Sequence, residues 1–324
     1  MKQRIIYKNG KFCTEEAAHI SIFSGFAMYG LCTFEMTRSF NKDHFQLYEH
    51  LERLYNGIKI LQIPVKESIE KLMAICLKVS KLNENAFNKD DEHRLMINIG
   101  TGNLSIYPGS HDPIVLVSDF PLSWTVRGMG KLFDTGINAV VTRQQAIPSY
   151  LIDQRIKNRN RLNLYMANLE TANYKGDNNW ALLTDDKGFI TEGTGANIFC
   201  VKDGVWRTPK GHNILRGITR QYIIDILKMW KGSNELIIDI LEDDISMYDL
   251  ITADEALFCA TPFVILPITK ANGYKIGDGN RGNHFNWLLK VINAYVGVDI
   301  EQQIKDWNKK DKGKITASPY QIKK

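Results

Sequence analysis

Two short runs of the sequence combine residue types that could bind a polar ligand. In the first run, Glu192 comes directly before a short glycine turn and a strand-like apolar segment. In the second run, Gly217-Ile218-Thr219 opens a predicted helix, and the N–H groups and hydroxyl at a helix start suit a phosphate group. On spacing alone, a solvated β-turn is the preferred interpretation of Glu192. The second run weakens that preference because it predicts an anion site in the same part of the sequence.

A third run places four cations at alternate positions, Arg155, Lys157, Arg159 and Arg161. In an extended segment alternate side chains point to the same side, so the four cations would lie together. Neighbouring positive charges disfavour the ammonium form of a lysine and would make Lys157 a better nucleophile. Without further context, a solvated basic strand is the preferred interpretation of this run.

The composition is typical of a globular protein and not of a disordered, fibrous or membrane protein. The chain has 324 residues, of which 44% are hydrophobic and 24% are charged. Its net charge is +5, and residues 305–324 contribute the same +5 through seven lysines and two aspartates. The rest of the chain is therefore close to neutral, which argues against a large phosphate-binding surface.

Cysteine and histidine usage predicts a cytoplasmic protein without a metal site. The five cysteines are odd in number and widely spaced, which fits reduced thiols better than disulfides. The seven histidines never take the spacing of zinc ligands. No apolar stretch is long enough for a signal peptide or a membrane span, so we expect no membrane association.

Hydrophobic periodicity predicts a two-domain α+β chain. Up to residue 142, a hairpin with a tight Asn9-Gly10 turn and short strand-like runs are mixed with helical patterns at residues 50–61 and 67–79. The pattern then loosens, and two hairpins with tight turns such as Asp203-Gly204 follow. The predicted limits are an N-terminal α+β domain at 1–142, an interdomain loop at 143–156, a C-terminal domain at 157–307 and a basic tail at 308–324.

Two local expectations concern the C-terminal domain. A helix beginning at Asn160 is predicted to carry Leu162, Tyr165, Met166 and Leu169 on one face. Residues 236–240 are predicted to form a strand.

Several motifs resemble those of the class IV aminotransferases, also called fold-type IV pyridoxal-phosphate enzymes, a family that includes branched-chain aminotransferases. The motifs are Tyr29-Gly30-x-x-x-Phe34-Glu35-x-x-Arg38, His50-Leu51-x-Arg53-Leu54, Glu192-x-x-x-x-Asn197-Ile198-Phe199, Leu215-x-Gly217-Ile218-Thr219-Arg220 and Asp254-Glu255-Ala256-Leu257-Phe258 with Thr261. They occur in the family's order over about residues 5–275. The resemblance implies a D-amino-acid aminotransferase-like fold, with a small N-terminal α/β domain and a larger, β-barrel-like C-terminal α+β domain.

The resemblance also implies a pyridoxal 5'-phosphate cofactor in the cleft between the domains. Lys157 falls at the position of the lysine that forms a Schiff base with this cofactor and then moves a proton between the substrate Cα and C4′. Glu192 would pair with the pyridine nitrogen and keep it protonated. The phosphate would be held by a set of cofactor-binding residues, namely Arg53, Gly217, Ile218, Thr219 and Thr261.

The activity implied is transfer of an amino group between an amino acid, branched-chain-like or other, and a 2-oxo acid. The positions that match the substrate pocket of branched-chain aminotransferases are Tyr29, Phe34, Arg38, Arg94 and Thr261. Family members are usually homodimers or higher oligomers, so a homo-oligomer is expected here.

Four positions depart from the patterns of known relatives and leave the substrate open. Glu92 and Leu162 stand where branched-chain aminotransferases have tyrosines, and Pro262 lacks an N–H donor that the substrate carboxylate would use. Asn98 replaces the carboxylate-binding arginine of D-amino-acid aminotransferases, which argues against that activity.

Two alternative functions remain open from the sequence. The run Ile156-Lys157-x-x-Asn160-Arg161-Leu162 is similar to the lysine region of aminodeoxychorismate lyases, which share the cofactor but eliminate pyruvate. A nucleic-acid-binding module would use residues 155–161 and the basic tail, with a steep salt dependence. The near-neutral body and the lack of interleaved aromatic and basic residues argue against nucleic-acid binding.

Overall fold

The structure is a computed structural model that describes residues 3–176 and 178–310. The strands are β1 (Ile5–Lys8), β2 (Lys11–Thr14), β3 (Cys32–Met36), β4 (Ser39–Phe40), β5 (Asp43–His44), β6 (His93–Gly100), β7 (Ile114–Pro121), β8 (Ile137–Val141), β9 (Asn179–Thr184), β10 (Ile190–Gly193), β11 (Asn197–Lys202), β12 (Val205–Pro209), β13 (Asp239–Asp243), β14 (Glu255–Ala260), β15 (Val264–Ala271) and β16 (Tyr274–Lys275). The α-helices are α1 (Gly25–Tyr29), α2 (Leu47–Ile60), α3 (Ile69–Asn83), α4 (Ser123–Val126), α5 (Leu132–Thr135), α6 (Leu162–Thr171), α7 (Ile218–Trp230), α8 (Met247–Ile251), α9 (Asn283–Val296) and α10 (Ile300–Lys310). Short 3₁₀ helices lie at Glu15–Ala17, Glu84–Ala86 and Arg127–Met129.

The described chain divides into two compact units. The first unit consists of residues 3–124 and 156–161, and the second consists of residues 125–155, 162–176 and 178–310. Helices and strands are mixed in both units, so the predicted α+β class is confirmed.

An antiparallel sheet of five strands forms the centre of the first unit, in the order β2-β1-β7-β6-β3. Helix α2 covers it because Leu51, Leu54 and Ile58 recur every three or four residues and are all buried. The β1–β2 hairpin has the predicted turn, in which Asn9 and Gly10 both take positive φ, at 43° and 90°. This turn geometry matches the twist of paired strands.

A mixed sheet of nine strands forms the centre of the second unit. Its order is β10-β9-β8-β15-β14-β11-β12-β13, with β16 added on β15. Strand β11 is buried along almost its whole length, from Asn197 to Val201, as expected of a strand covered on both faces. The predicted cofactor residues of this unit lie near the end of β10, in the turn after β14 and at the start of α7.

The grouping of β8 differs from the predicted domain limits of 1–142 and 157–307. Strand β8 pairs in parallel with β9 and β15, which places it in the sheet of the second unit. Residues 156–161, in contrast, group with the first unit. Both differences arise from hydrogen bonds between segments that are distant in sequence, which local periodicity does not report.

Three other expectations are modified by the structure. The predicted strand at residues 236–240 begins later, as β13, because its pairing with β12 starts at Asp239. In α6 three members of the predicted apolar face, Leu162, Tyr165 and Met166, are exposed and the fourth, Leu169, is half-buried, while the buried positions lie elsewhere on the helix. Residues 308–310 of the predicted basic tail belong to α10, and 311–324 lie outside the described residues.

In the part of the chain that the structure describes, no helix has both the length and the apolar character needed to cross a bilayer.

His44 fastens the β4–β5 hairpin to the rest of the first unit. Its Nε2 lies 2.7 Å from Ser80 Oγ on α3, and its Nδ1 lies 3.2 Å from Thr37 Oγ1. Burial, with the charges of His93 and His50 acting in the same direction, lowers the pKa of His44 from 6.5 to about 3. The hairpin next to Arg38 therefore depends on a neutral imidazole.

The first prediction concerns stability at acid pH. Between pH 6.5 and pH 3, the unfolded chain binds a proton on His44 that the folded chain does not, so the free energy of unfolding falls as the pH is lowered through this window. The slope from this residue is up to about 1.4 kcal/mol per pH unit. Urea unfolding of His44→Gln should show a shallower pH dependence than the wild type. The exposed-histidine control His212→Gln should keep the wild-type slope, and an unchanged slope in His44→Gln would contradict the assignment.

Candidate active site

Lys157 lies in an extended segment, residues 156–161, that pairs with β3 in the first unit. The backbone N–H of Phe34 donates to the carbonyl oxygen of Lys157 at 2.8 Å, and the N–H of Arg159 donates to the carbonyl oxygen of Cys32 at 3.0 Å. An antiparallel bridge joins the two segments between these bonds. The position of the Lys157 backbone is thus fixed by the sheet and not by a free loop.

Three cations of this segment surround the ring of Phe34, a side chain that is only 2% exposed. The Lys157 Nζ lies 5.2 Å from the ring centroid, and the guanidinium carbons of Arg159 and Arg161 lie 3.7 and 5.6 Å from it. We call these three residues the Phe34 cation cluster. A cation over an aromatic face is attracted by the ring quadrupole, so Phe34 holds the cations in place.

Arg155, the first of the four alternating cations, belongs to the second unit. Its guanidinium donates to both carboxylate oxygens of Asp153, at 2.6 to 3.1 Å. The expectation that alternate cations lie together therefore holds for the last three of the four.

Arg53, the predicted phosphate ligand, is held by a buried carboxylate. Its Nε and one terminal nitrogen donate to the two oxygens of Glu35 at 2.6 and 2.8 Å, and His50 Nδ1 lies 2.7 Å from the same carboxylate. His50 and Arg53 are three residues apart on α2 and so share a face. Burial alone would raise the pKa of Glu35, but the charges and hydrogen bonds of Arg53 and His50 outweigh it and hold that pKa well below its usual range.

Two of the predicted substrate residues are buried arginines. Arg38 is fully buried with its guanidinium 3.8 Å from the Phe40 ring centroid, and Arg94 on β6 is 6% exposed. Burial lowers the pKa of Arg38 to about 9, while the charge of Glu92 opposes this and that of Arg94 adds to it. Tyr29, another predicted substrate residue, ends α1 and is 66% exposed.

Glu92, which stands in place of the expected tyrosine, has a structural role in this chain. Its carboxylate accepts hydrogen bonds from Ser39 Oγ at 2.5 Å and from the N–H groups of Asn41 and Lys42 at 2.9 and 3.0 Å. Asn41 and Lys42 form the turn of the β4–β5 hairpin, with positive φ at both. Glu92 therefore closes this turn beside Arg38.

In the second unit, Glu192 near the end of β10 is oriented by two donors. The N–H of Leu215 donates to Oε1 at 3.1 Å, and Asn197 Nδ2 donates to Oε2 at 3.0 Å. The same Asn197 nitrogen also donates to the Leu215 carbonyl oxygen at 2.9 Å. The carboxylate is half-buried and its orientation is fixed, as a partner for one specific ring nitrogen requires.

The start of α7 fits a phosphate group. Gly217 is the N-cap, and within the described residues no side chain caps the helix, so its first N–H groups keep their hydrogen-bonding capacity. A Cβ at Gly217 would overlap Asn197 Oδ1, so the backbone approaches Asn197 as only glycine allows. Thr219 follows in the first turn, and the donor set of N–H groups and a hydroxyl suits an anion.

Arg220, the last residue of the same motif, makes its hydrogen bonds to β12 and β13. Its guanidinium is buried and donates to Thr208 Oγ1, to the Pro209 carbonyl oxygen and to Glu242, at 3.1, 2.7 and 2.7 Å. It therefore ties α7 to β12 and β13.

Thr261, predicted to contact both cofactor and substrate, lies in the turn between β14 and β15. Val264, which begins β15, has φ +64°, a left-handed conformation that is rare for a β-branched residue. Such backbone strain occurs most often at functional sites.

The structure brings the predicted residues together in groups within each unit. In the first unit Lys157 and Phe34 lie together, and in the second Glu192 and Gly217 are linked through Asn197. The holding roles of Glu35 and Asn197 were missed from the sequence. Their signal was a polar residue in a buried strand, which burial permits only when hydrogen bonds compensate it.

Comparisons with known proteins agree with this geometry. The family model for class IV amino-transferases matches residues 33–271. A Methanocaldococcus jannaschii protein, whose name gives branched-chain-amino-acid aminotransferase as a provisional activity, is 34% identical over 86% of this chain and 91% of its own length. The branched-chain-amino-acid aminotransferase of Escherichia coli K12 is 30% identical over 87% of this chain and 89% of its own.

A solved structure gives the same result for the fold. The branched-chain amino acid aminotransferase of T.th., complexed with N-(5'-phosphopyridoxyl)-L-glutamate, has a TM-score of 0.78 and 25% identity, with 92% of this chain and 95% of that chain covered. The predicted fold type IV is thereby confirmed, as is the pyridoxal-phosphate cofactor. On its sequence motifs, its fold and these matches, the chain belongs to the class IV aminotransferases, which transfer amino groups with pyridoxal 5'-phosphate.

Proposed function

We propose that this aminotransferase moves the amino group of a branched-chain amino acid to 2-oxoglutarate, with Lys157 as its catalytic base. The role of Lys157 rests on its fixed position in the segment that pairs with β3. Its amine lies 5.2 Å from the Phe34 ring centroid, on the same ring as the guanidinium groups of Arg159 and Arg161. A lysine that must accept and return a proton has to be held at a defined position, and the pairing with β3 provides this. The names of the relatives support the branched-chain substrate class.

We assign the cofactor contacts as the sequence predicts. Arg53 and the first turn of α7, with Gly217, Ile218 and Thr219, bind the phosphate, and Thr261 adds a hydroxyl. Glu192 pairs with the ring nitrogen. The bound cofactor supplies an electron-accepting ring that stabilises negative charge at the substrate Cα.

The chain's own residues then perform positioning and proton transfer. Lys157 would accept the proton from the substrate Cα and return it at C4′. Glu35 keeps the guanidinium of Arg53 oriented, so the phosphate end meets a preformed partner. Glu192 is held by Asn197 and the Leu215 N–H, which fixes its carboxylate before the cofactor binds.

The second prediction tests the activity and the role of Lys157. Leucine and 2-oxoglutarate, incubated with the cofactor-loaded enzyme, should yield glutamate, and Lys157→Ala should lower the rate at least about 1000-fold because the base is lost. Borohydride treatment followed by peptide mass spectrometry should find the cofactor on Lys157. Lys202→Ala, which removes a lysine paired with Asp254, should retain activity and adduct.

The outcomes separate the alternatives. Release of pyruvate without any 2-oxo acid would indicate a lyase, which the comparisons do not support. An adduct that persists in Lys157→Ala would contradict the assignment of Lys157.

The third prediction concerns Glu35. Glu35→Gln removes the charge that pairs with Arg53 in a buried site, so the free energy of unfolding should fall by about 3–5 kcal/mol. Cofactor affinity, measured by absorbance titration, should fall about tenfold or more because Arg53 loses its orienting partner.

The matched control is Asp119→Asn, which breaks another buried histidine–carboxylate pair of the first unit, with His93 Nδ1 2.7 Å from Asp119. This variant should lose stability and keep the wild-type cofactor affinity. An equal loss of affinity in both variants would show that Glu35 contributes only to folding.

We further propose that the enzyme is a homodimer. Support comes from large apolar side chains that each unit exposes: Ile22, Phe23, Met28, Tyr29 and Ile106 in the first, and Tyr150, Leu151, Leu162, Tyr165 and Met166 in the second. Exposed apolar side chains in such number are typical of surfaces that bind another protein, and homo-oligomers are usually closed and symmetric.

The fourth prediction is the mass in solution. Light scattering after gel filtration should give twice the chain mass of 37.0 kDa over a wide concentration range. A single-chain mass at every concentration would refute the dimer.

A cytoplasmic location is also proposed. Its support is the state of the cysteines: all five are free thiols, and all but Cys13 are buried. Free thiols are typical of reducing compartments.

A further inference from the structure

We propose that Arg159 is a substrate-binding residue whose guanidinium, stacked on Phe34, takes a carboxylate of the amino acid or 2-oxo acid. The inference rests on the proposed function of Lys157 and adds to it a specificity-determining residue. The sequence analysis treated Arg159 only as a cation near Lys157 and assigned it no ligand.

The first step of the argument is that the Arg159 guanidinium is held in one orientation. Its Nε donates to Asn98 Oδ1 at 2.8 Å, and its guanidinium carbon lies 3.7 Å from the Phe34 ring centroid. Phe34 and Asn98 are direct cross-strand partners on β3 and β6, and both are buried. A guanidinium has five N–H donors in a rigid fork, so orienting it through Nε leaves the terminal donors for a ligand.

The second step concerns charge. Arg53 has Glu35 and Arg155 has Asp153, whereas no carboxylate of residues 3–176 and 178–310 pairs with Arg159. Burial, with the charge of Arg161 acting in the same direction, lowers the pKa of Arg159 to about 10, so the group is still charged at neutral pH. A largely buried cation beside like charges is costly until an anion compensates it.

The third step identifies the anion. The planar fork of arginine matches the two oxygens of a carboxylate. The Lys157 amine and the Arg159 guanidinium lie on the same ring, so an anion at Arg159 would be close to the group that reacts with substrate. The phosphate of the cofactor is already assigned to Arg53 and the start of α7. A carboxylate of the substrate is therefore the anion that this position serves.

The experiment uses the cofactor-loaded enzyme and its Arg159→Met variant. Three amino donors are compared by kcat/KM: glutamate, leucine, and 3-methylbutylamine, which is leucine without its carboxylate. Loss of a charge-assisted hydrogen-bonding partner should lower kcat/KM for a carboxylate-bearing donor about 10- to 100-fold, with no effect on the amine. Calorimetry with glutarate as probe should show the same loss of binding.

Two control variants accompany it. Arg4→Met removes another arginine of the first unit that stacks on an aromatic ring, Trp124 at 4.8 Å, and pairs with Glu15; it should leave all rates and glutarate binding unchanged. Arg159→Lys keeps the charge but not the planar fork, and it should recover part of the lost binding. A common loss in both Arg159 variants with a lowered melting temperature would show a structural role and overturn the proposal.

The pattern of losses identifies which carboxylate is bound. Equal losses for glutamate and leucine indicate the α-carboxylate, and a loss for glutamate alone indicates a side-chain carboxylate; both support the proposal. An unchanged kcat/KM with unchanged glutarate binding overturns it, as does a loss of cofactor affinity instead. If the proposed function is wrong, the wild type yields no glutamate and no cofactor adduct is found on Lys157. In that case, glutarate binding to the wild type and to Arg159→Met still decides the role of Arg159.

Discussion

The backbone pairing between residues 156–161 and β3 is the constraint on which the first unit's part of the site depends. Because Phe34 donates to Lys157 and Cys32 accepts from Arg159, Lys157 is held by a sheet, and the side chains of Arg159 and Arg161 lie on the same ring as its amine. Extended backbone sends alternate side chains to the same side, and the buried ring between them gives three cations a common contact. A helix in this place would have separated them. The local charge around the lysine is thus a product of strand geometry as much as of composition.

Three carboxylates that are buried or half-buried each accept hydrogen bonds that fix their orientation. Glu35 orients Arg53, Glu92 closes a turn beside Arg38, and Glu192 is held between Asn197 and the Leu215 N–H. In each case the oxygens accept from at least two donors, which offsets the cost of burying the charge. The replacement of an expected tyrosine by Glu92 is explained in this way: the residue serves the hairpin.

The sequence predicts features that depend on neighbouring residues better than features that depend on contacts between residues far apart in the chain. Hairpin turns such as Asn9-Gly10 and Asp203-Gly204 are local, since a left-handed backbone is needed at adjacent positions, and both were predicted correctly. The sheet membership of β8 and the pairing of residues 156–161 follow from hydrogen bonds over long separations, and no local pattern reports them. The contact of Arg159 with Asn98, 61 positions apart, is of the same kind. The family motifs indicated the candidate site residues, while the partners that hold them became visible only in three dimensions.

Asn197 lies between Glu192 and Gly217, the two residues of the second unit that are proposed to contact the ring nitrogen and the phosphate of the cofactor. One amide side chain touches the carboxylate of Glu192 through its nitrogen and the backbone of Gly217 through its oxygen. Because Glu192 and Gly217 share this one partner, we expect the effects of substitutions at the two positions to be coupled and not additive. The proposed grip on a phosphate and the proposed alignment with a ring nitrogen then depend on the same amide.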